Sequence, residues 1–259
     1  MNRDFTCIAY SRLLEALAKA GYSYMTFAAF IQNEPSHKAV VLRHDVDSWP
    51  QNANQMADIE FKHNARATYF FRRSVLSFNE KIIKSIVQLG HEVGYHYEDL
   101  AACNGNMVAA LKRFQKNLEF YRQFYPINTI AMHGRPLSKW DSKDLWTKYL
   151  YQDFGIIGEP YIDLDFNKVL YLTDTGNCWD GDKYSVRDYV QSPFKFNIHT
   201  TWDLIEHIEK NLLPDQMMLN IHPARWNDNC VKWWIRYYVL TLPKFQIKKL
   251  LKRNRLNTK

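Results

Sequence analysis

The chain is short of the features that would place it outside the cell or in a membrane. It has four cysteines, Cys7, Cys103, Cys178 and Cys230, with no C-x-x-C and no regular spacing, which argues against a disulfide framework and for free thiols in a reducing compartment. No run approaches 18 consecutive apolar residues, so no transmembrane helix is expected. The opening Met1-Asn2-Arg3-Asp4-Phe5 lacks the apolar core of a signal peptide, and a soluble, cytoplasmic protein is the expectation. Internal repeats and low-complexity segments are absent as well.

What is present is a core and a surplus of aromatics. Apolar residues make up 46% and aromatic residues 15% of 259 residues, enough for one barrel-sized domain or two small ones. Eight Trp and sixteen Tyr are more than packing needs, and such side chains often line sugar or ligand grooves. A net charge of +7 suits an anionic partner, although much of the excess sits in the tail from Lys244. That tail reads as a solvated helix end or as a weak membrane-surface contact. Nucleic acid is not an expected partner, because the tail lacks the interleaved basic and aromatic surface that single strands require.

The periodicity gives alternating strands and helices. Residues 9–20 have helical spacing and stop at Gly21, and Thr26 caps a second short helix through Ile31. An apolar run, Ala39–Leu42, reads as a buried strand. Strands follow at 66–71, 91–96 and 127–132, separated by helices at 51–64, 79–89 and 107–125. The pattern then loosens into short apolar runs at 155–158 and 168–172. A helix from Thr200 or Thr201 to Leu212, a strand at 217–221 and a last helix from about Asn227, holding Trp233, Trp234, Tyr237 and Tyr238, complete the chain. Alternation of this kind calls for a parallel sheet. The expected fold is an α/β, irregular (β/α) barrel of about seven strands spanning 39–226, with an N-terminal helical cap (1–38) and a C-terminal helix and basic tail (227–259).

Reactive groups recur at the strand ends: Asp45 and Asp47, His96, His133, His222. Strand alternation puts Asp45 and Asp47 on one side, roughly 7 Å apart along an extended backbone. Two carboxylates that close repel unless a cation or proton lies between them; the pair equally suits a turn. One carboxylate and two imidazoles leave a catalytic zinc with an open position for water. A second carboxylate is then a base for that water, and a further histidine an acid for the leaving group. The set suits metal-assisted hydrolysis of an amide or ester. His44, His91, His199 and His207 read as structural, with His44 and His91 close enough in sequence to support the site from behind.

Arg43-His44-Asp45-Val46-Asp47, Thr68-Tyr69-Phe70-Phe71, Gly90-His91-Glu92-Val93-Gly94-Tyr95-His96 and the strand-final His222 resemble, in order and spacing, the polysaccharide deacetylase (NodB-homology) family. Two further segments, Tyr171–Asp180 and Ile221–Trp226, resemble a branch of it associated with surface-glycan and lipopolysaccharide biosynthesis. The resemblance implies a metal-dependent hydrolase removing an N-acetyl or O-acetyl group from a sugar, nucleotide-linked or lipid-linked, with a divalent metal ion, zinc first among candidates. It assigns Asp45 as base, His222 as acid, Arg135 as the arginine orienting the base, and Asp47 and His96 as metal ligands. Where the family has its second metal histidine, four residues past His96, this chain has Leu100. His133 is the expected replacement and Glu98 the alternative. Asp174, Trp179, Arg225 and Trp226 are expected substrate contacts, with core packing the equal alternative for the two indoles. The substitution at Leu100 leaves one competing reading, a catalytically inactive barrel that binds a glycan or a partner enzyme.

Overall fold

A computed structural model of the chain describes residues 3–135, 138–180, 185 and 187–235. Tyr237, Tyr238 and the basic tail lie outside them. The chain begins with α1 (Cys7–Lys19), β1 (Ser23–Met25), α2 (Phe27–Asn33), β2 (Ala39–Val46) and α3 (Pro50–Lys62). It continues with β3 (Thr68–Phe71), α4 (Glu80–Gln88), β4 (Glu92–Tyr97), α5 (Asp99–Ala102), α6 (Met107–Arg122) and β5 (Ile130–Met132). The remaining elements are α7 (Pro160–Asp163), β6 (Leu170–Thr173), α8 (Thr201–Glu209), β7 (Gln216–Ile221) and α9 (Cys230–Trp234).

All seven strands join one parallel sheet in the order β5-β4-β3-β2-β7-β6, with β1 paired to the first half of β2. The sheet curls into an irregular, incompletely closed barrel. Beyond β5 only a single bridge, Thr129 to Gly158, extends it, and among the described residues no ladder joins β5 to β6. The N-terminal segment, expected to be helical throughout, donates β1 to the sheet. Thr26 caps α2 as expected, and Thr6, Asn79 and Asn106 likewise accept backbone N–H groups at the starts of α1, α4 and α6, satisfying donors that have no partner within the helix.

β2 is buried along its whole length, and its period of two sorts it into two cores. Val40, Leu42 and Val46 face the helices with Tyr69, Val93, Leu219 and Leu13. Ala39 and Val41 face the barrel interior with Phe70, Ala131 and Met218, where Phe27 and Phe30 of α2 plug the lower end. At the plug, Thr68 and Thr129 both hydrogen-bond buried Glu92, which also accepts from Ala28 N. Above it the interior is tight: a Cβ on Gly94 would lie 2.3 Å from the Phe70 ring. The polar mouth above this layer is built from the next interior-facing positions of the same strands.

Candidate active site

Arg43 and Asp45 continue the interior-facing column of β2, and Asp47 follows just past its end. The Arg43 guanidinium, fully buried, donates from Nε and Nη2 to the two oxygens of Asp45 at 2.9 and 2.8 Å. It also lies 4.7 Å from the Tyr161 ring centre. Arg135, expected in this role, is elsewhere: its Nε sits 3.8 Å from Glu98 and its side chain is largely exposed. A bidentate clamp from the same strand orients Asp45 instead. β2 ends at Val46, and Asp47 N donates back to Asp45 O at 3.1 Å, so the two carboxylates are brought together by a tight turn and not by extended backbone.

Two imidazoles face them. His96 Nε2 is 3.6 Å from both Asp45 Oδ2 and Asp47 Oδ1. His133 Nε2 is 3.4 Å from the same Asp47 oxygen. Each ring is held by its other nitrogen: His96 Nδ1 at 2.9 Å from Ala131 O, His133 Nδ1 at 2.9 Å from Glu98 Oε2. A carbonyl and a carboxylate can only accept, so both Nδ1 atoms carry a proton and both rings turn Nε2 towards the carboxylates. Glu98 is in turn fixed by Arg72 Nη2 at 2.9 and 3.0 Å. It therefore contacts Arg72 and the His133 ring from behind. Leu100 is buried in the helix-side core.

His222 closes the mouth from β7. Its Nδ1 is 2.7 Å from Asp174 Oδ1 and its backbone N donates to Asp174 Oδ2 at 2.9 Å. The same fully buried carboxylate accepts from Arg225 Nη1 at 2.7 Å and Trp226 Nε1 at 2.8 Å. This corrects three expected substrate contacts. Asp174 is saturated by protein donors, Trp226 is fully buried against Phe5 and Tyr10, and Trp179 is buried with its Nε1 on Thr201. Of that group only Arg225 lines the cavity. Asp45, Asp47, His96, His133 and His222 line it too, around a volume of about 70 Å³. A broader groove of about 780 Å³, bordered by Arg135, Lys139 and Trp140, meets it at His133. His44 and His91 point to the other side of the sheet, onto Glu60.

Asp188 was not singled out in the sequence. It accepts from Thr173, Thr175, Tyr161 and Tyr171. Burial opposes its charge, but His222 and these hydroxyls outweigh that and hold its carboxyl well below the usual range. Nothing in the loose stretch after residue 151 marks it, since its partners come together only in the fold.

The electrostatics suit a cation. Burial pushes His96 down to about 4, against the pull of Asp45 and Asp47, so the ring is neutral near pH 7. Burial also opposes ionisation of Asp47, and His133, His96, His222 and Arg72 prevail, keeping its carboxyl well below the ordinary value. Asp47 Oδ1 is nonetheless buried with no hydrogen-bond partner among the described residues, an exception that calls for an explanation. Ligand atoms bound to one tetrahedral zinc stand about 3.4 Å apart, given bonds of about 2.1 Å, and the two oxygen-to-nitrogen separations at Asp47 match that spacing. The imidazoles flank Asp47 widely: the described trio of metal-type donor atoms lying within 4.8 Å of one another is Cys178, Asp180 and His199. By type, one carboxylate and two imidazoles suit a borderline divalent ion, while the two imidazole donor atoms stand more than 4.8 Å apart, wider than one tetrahedral ion spans.

No family model matches the chain, and no curated protein matches it. Among solved structures it is similar to a CE4 family pseudoenzyme from Bacillus anthracis, at 16% identity and a TM-score of 0.47 over 83% of this chain and 62% of that one. It thus spans less than two thirds of that structure's length. It is similar also to a peptidoglycan deacetylase from Bacillus subtilis, at 14% identity and a TM-score of 0.45 over 85% and 96% of the two chains. A CE4 esterase from Streptococcus mutans shows a likeness of 17% identity and a TM-score of 0.45 over 90% and 89%.

Proposed function

We propose that the chain is a metal-dependent hydrolase that removes an N-linked or O-linked acetyl group from a sugar. The observation that carries this reading is Asp47 Oδ1, a buried carboxylate oxygen without a hydrogen bond, faced by two imidazoles whose Nδ1 atoms are both tied down. The ordered sequence motifs around Asp45, His96 and His222 supply the acyl and sugar part of the proposal.

Asp47, His96 and His133 would hold the ion, zinc being the borderline cation that such N and O donors suit. When bound, it lowers the pKa of a water and polarises the acyl carbonyl. The other roles belong to the chain itself. Asp45, held in one orientation by Arg43, takes the proton of the attacking water. Asp174 accepts Nδ1–H of His222, which fixes the tautomer and supports the imidazolium, so that Nε2 delivers a proton to the leaving nitrogen or oxygen. Arg225 and Arg187 both line the cavity; each is paired with one carboxylate, Asp174 at 2.7 Å and Asp141 at 2.9 Å, and would turn its remaining N–H groups to a phosphate. A nucleotide-linked or lipid-linked sugar in glycan assembly, acted on in the cytoplasm, would present one.

The test is acetate release from N-acetylglucosamine oligosaccharides and from a nucleotide-linked N-acetyl sugar, with zinc restored after chelation. Release should depend on the ion and fall by about 10²-fold or more in Asp45→Asn. Unchanged metal content in Asp47→Ala and His96→Ala would show the assigned centre to be wrong. Retained metal and sugar binding without acetate release would identify an inactive, glycan-binding barrel.

A further inference from the structure

The loop after β6 carries a second group of metal-type donors, outside the mouth just described. Cys178 and Asp180 are two residues apart, with Trp179 between them. The Trp179 ring is buried in the helix-side core and anchored through Nε1 to Thr201 Oγ1 at 3.1 Å. In the turn around this anchor the donor atoms of Cys178 and Asp180 come within 4.8 Å of each other. The segment leading into α8 runs alongside: Trp179 N donates to His199 O at 2.9 Å, and His199 N donates to Asp203 Oδ2 at 3.1 Å. These bonds place the His199 ring over the same face, with Nδ1 at 2.8 Å from Asp180 Oδ1. Cys178, Asp180 and His199 thus bring one sulfur, one oxygen and one nitrogen within 4.8 Å of one another.

Burial is graded across the three. Cys178 is buried, the Asp180 side chain is 14% exposed and the His199 side chain 64%. Sulfur is innermost and imidazole outermost, which leaves one side open to solvent for entry of an ion and for a water ligand. A surface Asp–His pair above an unrelated buried thiol accounts for the 2.8 Å contact. It does not account for three different donors converging from two segments whose backbones are tied together.

We propose that Cys178, Asp180 and His199 form a binding site for a borderline divalent cation, zinc in the first place, separate from the Asp47 centre. Sulfur and imidazole donors disfavour magnesium and calcium, which take oxygen ligands. On binding, the Cys178 thiol loses its proton to solvent as the sulfur–metal bond forms, the His199 Nδ1 proton moves through solvent to Nε2, and the His199–Asp180 hydrogen bond is exchanged for two metal bonds. The ion then clamps the β6 loop to the start of α8. That loop carries Asp174, which holds His222, so occupancy of this site would stiffen the support of the acid.

Cobalt(II) tests this, because only a sulfur donor gives the near-ultraviolet sulfur-to-cobalt charge-transfer band and the Asp47 centre has none. Metal-free full-length protein titrated with cobalt should develop the band. Cys178→Ser should lose it while keeping the cobalt bound at Asp47. His199→Ala, altering an exposed side chain, should move the midpoint of the band to higher cobalt concentration. Its absence in the unaltered protein at saturating cobalt overturns the proposal. So does persistence of the band in Cys178→Ser, which would place the sulfur at another cysteine. Should Cys178→Ser fail to fold, an unmoved midpoint in His199→Ala overturns the proposal by itself.

Discussion

Glu98→Gln separates two accounts of how His133 comes to face Asp47. Glu98 accepts His133 Nδ1–H at 2.9 Å and Arg72 Nη2 at 2.9 and 3.0 Å. Burial works against its charge, yet His133 and Arg72 prevail and draw the carboxyl down to about 2. Glutamine keeps the shape but has one accepting oxygen, so its amide N–H₂ confronts either the imidazole or the guanidinium. His133 then loses the partner that fixes its tautomer and ring angle. Loss of such a supporting carboxylate costs about 10–100-fold in metal affinity, or about 1.4–2.7 kcal/mol. His133→Ala, which removes a ligand outright, should cost more. Competition of zinc between the protein and a chromophoric chelator at neutral pH measures both variants, and urea unfolding of the metal-free forms separates affinity from stability. Two results refute the reasoning. If Glu98→Gln is as damaging as His133→Ala or worse, Glu98 is itself a ligand. If it binds zinc like the unaltered protein, the contact does not orient the ring.

Further expectations concern the support of the mouth. Arg43→Met leaves Asp45 buried with its cationic partner removed, and stability to urea should fall by about 3–5 kcal/mol; a loss below about 1 kcal/mol would mean that the clamp is not what holds Asp45. Gly94→Ala drives a methyl into Phe70 and towards Thr129 O, so overpacking should cost about 1–3 kcal/mol, and an unchanged urea midpoint would count against the tight interior. Glu159, fully buried, accepts from Met132 N and Tyr161 N, and burial raises its carboxyl from 4.5 to about 7 despite Arg43. Between those values the folded state holds a proton that the unfolded state has released. Its stabilisation is complete below about pH 4.5 and lost as the pH rises through about 7, amounting to about 3 kcal/mol. Glu159→Gln should flatten the stability–pH profile across that window by this order, and an unaltered slope would contradict the assignment.

The strand ends were legible because a period of two is a local property: Asp45, His96, His133 and His222 could be placed at one mouth from spacing alone. Arg43 is legible in the same way, since it shares the face of Asp45 two residues on. Glu98 is legible in the sequence as an oxygen near the site, but the His133 and Arg72 donors that meet on it are not. Trp179 and Trp226 illustrate a different limit. An indole suits a sugar face and a core equally, and only the packing of Phe5, Tyr10 and Thr201 around them decides it. Asp188 depends on four hydroxyls that meet only after the sheet curls.

β2 also explains why the mouth has one register. Its odd positions present Arg43 and Asp45 to the interior. Its even position, His44, enters the helix-side core, where Nε2 lies 2.5 Å from Glu60 Oε1. Tyr69 donates to the other Glu60 oxygen at 2.6 Å, Tyr10 shares the first, and His91 stands 3.5 Å away. A slip of one residue would exchange the two faces. Arg43 and Asp45 would meet the apolar helices, and His44 would leave Glu60 for the mouth. Each stranded charge would cost several kcal/mol, whereas Val40, Val41 and Leu42 are nearly interchangeable and discriminate little. The apolar half of β2 thus supplies burial, and the Arg43–Asp45 and His44–Glu60 pairs on opposite faces supply the register that sets Asp47 between His96 and His133.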